Sequence, residues 1–339
     1  MKLPIPRGPL TETLCAALAD GVPPASVPAP GGDDPLTDGD LQLALWLLYQ
    51  LHYDGFDGVD RGREWDPDLI RVRLELEDRL LDCLRDRTAD LVADSSAGGE
   101  RGDPLPDRLF AMTDRFDGPS VASYLQRDAT ADQFLEMLAH RSLYTLRETD
   151  PQVFAMPRLC RRAQVAMAEL VYDEYGGGRP DRMHSRLFAQ ALADCGLDAT
   201  LGGYVDSVPA TTLALTNVMH LFALRSELAP ASAGHFGAFE ATSSVPSRQL
   251  VSGAERLELP DSVRDYYDEH VEADAVHEQL AFRDICGSVV DDDPAAEPLV
   301  LLGAASCLVA EAVAGEAMLA AWQAGASSLQ EPGSSGKVA

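Results

Sequence analysis

Residues Asp261–Arg283 read DSVRDYYDEHVEADAVHEQLAFR, an amphipathic stretch that forms one helix and carries His270, Asp274 and His277. At about 100° per residue, positions i, i+4 and i+7 fall within about 60° of one another on one side of a helix. Two imidazoles and a carboxylate therefore converge on one point. In residue type and in spacing this is a metal-ligand set. Three ligands do not complete a site, so the remainder must come from elsewhere in the chain.

Outward from that helix the pattern stays helical. Asp38–Phe56 opens on an Asp N-cap and runs apolar at helical spacing. Pro67–Asp94 places Leu69, Val72, Leu76, Leu80, Leu81 and Leu84 on one face. A polar stretch, SSAGGERGDPLP at Ser95–Pro106, reads as a linker. Beyond it the spacing predicts helices over 119–128, 131–148, 158–174, 181–195, 210–227, 231–243, 246–257, 261–283 and 297–323. Gly176–Gly178 stops one of them and Pro180 or Asp181 restarts the chain. Alternating β-branched segments are almost absent, so the expected fold class is all-α. Three regions follow: an accessory helical region over 1–105, the main helical bundle over 106–325 and a disordered tail over 326–339.

Composition narrows the function. At 339 residues the chain can bury a substantial core, and 46% hydrophobic with 24% charged residues is ordinary for a soluble globular protein. A formal net charge of −28 argues against nucleic acid and against an anionic membrane surface as partners. Leu299–Ala321 is strongly apolar but interrupted by Glu311 and Glu316, which suits a buried helix better than a membrane span. The N-terminal prolines break any apolar run of the kind a signal peptide needs. The six cysteines show no paired spacing. A cytoplasmic protein with reduced thiols is the expectation.

Of the seven histidines, His52 and His140 have no acid partner at metal spacing and His220 sits among apolar residues in TNVMHLFAL, so all three read as packed or surface residues. His235 lies five residues before Glu240. His184 opens a helix after the glycine cluster. Glu148, Glu174 and Glu240 lie on otherwise apolar helix faces. Each taken singly reads as an exposed or Arg-paired acid. Together with the 270–277 set they suggest a bundle that aims acids and imidazoles inward from several helices, which is how helical proteins build dinuclear iron sites.

Three stretches, DEYGGGRPDRMHSRLF, HFGAFEATSSVPSR and YYDEHVEADAVHEQ, resemble the haem-oxygenase-like diiron oxidases and oxygenases, the iron-containing redox enzymes. The resemblance covers about residues 120–290 and implies a haem-oxygenase-like helical bundle with additional N-terminal helices. Carried over residue by residue, it implies Glu174, His184, Glu240, His270, Asp274 and His277 as metal ligands, with Glu148 joining them in the branch that oxygenates nitrogen. The ten-residue step from Glu174 to His184 departs from the shorter spacing of other branches and requires a break, which Gly176–Gly178 and Pro180 supply.

The implied chemistry is that of two irons with O2 as co-substrate. A mostly carboxylate set of up to seven ligands is too many for one tetrahedral zinc. N-oxygenation of a small amine or amino-acid-derived molecule in specialised metabolism is the leading expectation, with an external electron donor. Desaturation or C–C cleavage of an amino or fatty acid stands as the alternative, and a non-catalytic metal-binding or interaction protein as a reading of another class. Haem degradation on the same scaffold needs a proximal His and no inward carboxylates, the reverse of this sequence. Arg248 and Arg283 lie near ligand-bearing segments and are candidates to clamp a substrate carboxylate; an ion pair elsewhere is the competing reading of each. A homodimer is compatible with a protein of this type.

Overall fold

The chain folds because long apolar stripes with well-capped starts leave few alternatives to helix. The computed structural model describes residues 1–22, 27–97 and 103–332; the side chains of residues 97 and 272–276 also lie outside that description. No strand occurs among the described residues. The N-terminal region supplies α1 (Pro9–Asp20), α2 (Gly39–Gln50) and α3 (Pro67–Ala97). The next stretch holds α4 (Leu105–Arg115), α5 (Val121–Arg127), α6 (Ala131–Thr145), α7 (Asp150–Ala155) and α8 (Arg161–Glu174). There follow α9 (His184–Asp194), α10 (Ala210–Leu224), α11 (Ala229–Ala241) and α12 (Ser244–Arg256). The last are α13 (Asp261–Gln279), which runs on through a π-helical turn at Leu280–Cys286, then α14 (Gly287–Asp292) and α15 (Glu297–Gln323).

Local chemistry sets these boundaries. Asp38 caps α2 by accepting from the backbone N–H groups of Asp40 and Leu41. Thr130 and Gln133 form a reciprocal capping box at the start of α6. That helix ends at Thr145, three residues short of the expected 148. The chain turns there, and Pro151 then enters the first turn of α7, where its missing N–H costs nothing. The sequence pattern gave no separate helix at that place.

At the centre lie α11 and α15, which touch backbone to backbone. A Cβ added at Gly234 would meet the Val300 carbonyl oxygen at 1.9 Å, and one at Gly303 would meet that of Ala231 at 1.9 Å. Gly237, one turn on, faces the Phe282 ring and Cys286 of the π-helical turn. Three glycines thus draw three segments together around Glu240. The span Pro294–Gln323 is long and apolar enough to cross a bilayer, but 67% of its most apolar window is buried inside the protein, as a core helix requires.

The N-terminal helices do not form a core of their own. Leu14, Trp46, Leu80 and Leu84 share one hydrophobic cluster with Leu213, Phe222 and Leu302 of α10 and α15. The expected boundary near 105 therefore divides the chain but not the packing. The expected disordered tail over 326–339 needs correction at its start. Ser328 is buried and donates through its hydroxyl to Glu136 at 2.6 Å, and the Gln330 N–H donates to the Ser207 carbonyl at 2.7 Å. A polar tail docks because α6 offers it a carboxylate. Residues 333–339 lie outside the described residues.

Candidate metal centre

Five segments deliver the site. Glu174 is the last residue of α8. Beyond it Gly176, Gly177 and Gly178 take φ of 73°, 60° and 79°, a left-handed run that side chains resist. A Cβ at Gly176 would sit 2.6 Å from the Arg182 carbonyl carbon. This turn folds the ten-residue step back on itself, so that His184, the first residue of α9, brings Nδ1 to 2.9 Å from Glu174 Oε2. Glu148 sits in the turn after α6, followed by Thr149 at φ 74°. A β-branched residue in that region is strained, and such strain collects at functional sites. Glu240 comes from α11, and His270 and His277 from α13.

The buried donor atoms fall into two groups that share one residue. Glu148, Glu174, His184 and His270 form the first, and Glu174, Glu240 and His277 the second, with all ligand atoms of a group within 4.8 Å of one another. Glu174 joins them with different oxygens: Oε2 faces His184, while Oε1 lies 3.9 Å from His277 Nδ1. Glu240 Oε2 lies 3.5 Å from the same nitrogen. The structure thus brings together Glu148, Glu174, His184, Glu240, His270 and His277. The side chain of Asp274 lies outside the described residues.

Hydrogen bonding selects which nitrogen of each ring is offered. His270 Nδ1 lies 2.9 Å from the Tyr266 carbonyl, which makes it the protonated nitrogen and leaves Nε2 facing Glu148 at 3.7 Å. His277 is arranged the other way round. Its Nε2 lies 3.3 Å from Asp173 Oδ2, and Nδ1 turns inward. Tyr266 donates its hydroxyl to Glu148 Oε2 at 3.1 Å. Asp173 and Tyr266 thereby orient ligands in the manner of outer-shell partners at metal sites. Both were missed in the sequence. Asp173 precedes Glu174 and looks like any surface acid, and Tyr266 is recognisable only once His270 is placed one turn on.

The electrostatics call for a cation. Burial alone would lower His270, but the carboxylates of Glu148 and Glu174 outweigh it and push its pKa up to about 10. Burial likewise opposes the charged form of His277, and Glu240, Glu174 and Asp173 raise it to about 9. Burial would raise Glu174, but the surrounding imidazoles pull it below its ordinary value. Glu174 Oε2 and His184 Nδ1 are buried against each other, and His270 Nε2 and His277 Nδ1 are buried against Glu148 and Glu240. The protons held between these acids and imidazoles occupy the place that a metal ion would take, since ligand imidazoles and carboxylates give up their protons on binding. The residues therefore fit iron, and the all-oxygen-and-imidazole donor set suits it.

A cavity of about 360 Å³ reaches Glu148 and His270 from the side of α5, α12 and α15. Met137, Tyr144, Phe239 and Leu308 give it apolar walls. Tyr144 stays protonated, since burial and the nearby carboxylates of Glu148, Glu174 and Glu240 push its pKa far up. Neither candidate clamp lines this cavity, and the competing ion-pair reading holds for Arg283. Arg248 is exposed on α12, and Arg283 is exposed and pairs with Asp107 at 3.1 Å. Both follow the polar faces of their helices. The arginine that does line it is Arg141, held by Glu311.

The remaining histidines are accounted for by packing. His140 contacts Thr212 and Ser328, His220 Nδ1 lies 2.6 Å from the Thr216 carbonyl, and His52 pairs with Glu64. His235 is buried beside Phe222, its pKa driven down to about 4 by desolvation.

Fold and site together define an all-α metalloprotein of the haem-oxygenase-like kind, with a buried carboxylate–imidazole centre. The chain belongs to the iron-containing redox enzyme family, whose family model it matches over residues 135–312, and it is an oxidoreductase. Among solved structures it is similar to a CADD-like protein of unknown function from Nostoc punctiforme PCC 73102, with a TM-score of 0.51 at 16% identity, covering 63% of this chain and 95% of that one. At that identity the likeness is one of fold. No curated protein matches the chain.

Proposed function

We propose that the protein is a non-haem diiron, O2-dependent oxygenase that oxidises the nitrogen of a small amine or amino-acid-derived substrate. The observation that carries the reading is the sharing of Glu174 between two donor groups. A buried carboxylate with one oxygen toward each group is what a pair of ions a few ångströms apart requires. Glu148, His184 and His270 would hold one ion, Glu240 and His277 the other, and Glu174 both. Glu148 within the first group supports the nitrogen-oxygenating branch of the resemblance over C–H oxidation.

When bound, the irons supply the reductive activation of O2, with an external electron donor returning them to the ferrous state. The side chains do the rest. Tyr266 and Asp173 hold Glu148 and His277 in ligating orientation. The apolar cavity wall excludes bulk water from the reacting end of the substrate and gives it a fixed approach past Glu148 and His270.

The test is anaerobic loading with Fe(II), followed by metal quantification and O2 consumption with a panel of small amines. Two irons per chain and a product carrying new oxygen on nitrogen are expected. One metal per chain overturns the dinuclear reading. Oxygen uptake that yields only alkene or chain-shortened products moves the assignment to C–H chemistry.

A further inference from the structure

The cavity beside the metal centre carries a second polar feature that metal binding does not use. Arg141 of α6 and Glu311 of α15 meet in a parallel fork, Nη1 to Oε1 at 2.7 Å and Nη2 to Oε2 at 2.8 Å. Both line the cavity and both keep about a third of their side-chain surface, 35% and 33%, uncovered. Around them the wall is apolar, with Leu125, Met137, Leu250 and Leu308. Gly118 and Ser120, both exposed, mark the rim.

As a joint between two helices such a pair contributes little, because its Coulombic gain is small when open to water and full burial costs desolvation. On the cavity wall, each with part of its surface open, the two groups instead offer two recognition points of opposite sign. We propose that Arg141 and Glu311 are the specificity-determining residues for the zwitterionic head group of an α-amino acid, the guanidinium taking the carboxylate and Glu311 the ammonium. The selectivity comes from repulsion as much as attraction. A carboxylate without an ammonium meets Arg141 but is repelled by Glu311 beside it. An amine without a carboxylate suffers the converse. Only a molecule with both charges satisfies both residues without adding net charge to the cavity.

Spacing extends the inference to the shape of the ligand. Arg141 precedes Glu148 by seven residues along α6 and the turn that follows it, on the order of 10 Å of axial rise. A head group seated on the pair therefore leaves its side chain, not its α-nitrogen, facing the metal ligands. The reacting atom lies several bonds from the head group. This last step rests on the oxygenase reading; recognition of the head group does not.

The experiment is calorimetric titration of the metal-free full chain with three probes of equal chain: L-norleucine, hexanoate and pentylamine. L-norleucine is expected to bind at least tenfold tighter than either. Arg141→Met is expected to reduce L-norleucine binding at least tenfold, and Glu311→Gln to close the gap between L-norleucine and hexanoate. Equal binding of the three by the wild-type protein, or no saturable binding of L-norleucine, overturns the proposal without reference to any variant. Unchanged preference in well-folded R141M and E311Q overturns it too. Because the titration is made without metal, the preference for L-norleucine stands or falls separately from the iron count and oxygen uptake that test the oxygenase reading.

Discussion

Replacement of Glu174 by Gln tests the metal centre at its narrowest point. The side chain keeps its shape and loses its charge and one oxygen. Because Oε2 faces His184 and Oε1 faces His277, the change weakens both donor groups at once, whereas Glu240→Gln touches only the second. A ligand bound at a hundredfold excess over its dissociation constant stabilises the folded chain by about 2.7 kcal/mol. On the proposed dinuclear reading, two filled Fe(II) sites would contribute about 5 kcal/mol in the wild-type protein. The expected ferrous-dependent stabilisation is close to that figure for wild type, about half for E240Q and near zero for E174Q. Anaerobic melting with and without Fe(II), alongside iron counts of two, one and none per chain, reads it directly. The metal-free melt of each variant provides its own baseline. An E174Q protein that still holds one iron, with a stabilisation equal to that of E240Q, would refute the claim that one carboxylate serves both groups.

Three further outcomes follow from other residues. Asp173→Asn keeps a hydrogen-bonding group near His277 Nε2 but removes the charge, and is expected to weaken iron at that site by about 10–100-fold without altering the first site, as a stepwise Fe(II) titration will show. Gly234→Ala forces a methyl group against the Val300 carbonyl and is expected to cost about 1–3 kcal/mol or more in urea denaturation; a loss below about 0.5 kcal/mol counts against the backbone contact. Glu77 is buried, and desolvation, only partly offset by Arg73 at 3.3 Å, raises its pKa from 4.5 to about 7. The folded chain then holds a proton that the unfolded chain releases first, so this contribution to stability is present below pH 4.5 and is lost as pH rises to 7. It amounts to about 3 kcal/mol. Glu77→Gln is expected to flatten the difference between urea midpoints at pH 5 and pH 8, and an unchanged difference removes Glu77 as its source.

The helices were legible because each carries its own apolar stripe and stop signal, and those are local properties of the chain. The Glu174-to-His184 return was legible for the same reason, since three adjacent glycines announce a break wherever they fall. Glu148 was found by resemblance but misplaced on a helix. The turn that carries it depends on Thr149 holding a conformation that no pattern of residue types advertises. Arg141 gives no local signal because its partner Glu311 lies 170 positions away. An arginine on an amphipathic helix looks the same whether it faces solvent or a cavity. Nearness in sequence to the ligands makes Arg248 and Arg283 candidates only, and the helix rotation between them and the site turns both outward. Ser328 reads as tail because a short polar segment gives no sign of the carboxylate it will meet.

The glycine turn between Glu174 and His184 has a consequence for how this centre tolerates change. Closing a chain segment costs entropy that grows only slowly with its length. Residues inserted between Gly178 and Asp181, on the outer part of the excursion, would leave the two donors where they are. A single methyl group at Gly176, by contrast, must push against the peptide between Arg182 and Met183 and so prise His184 away from its partner while leaving both side chains chemically intact. Control of the metal site thus extends to an atom that never touches it, and the length of that excursion is free to change in a way that the residue at its neck is not.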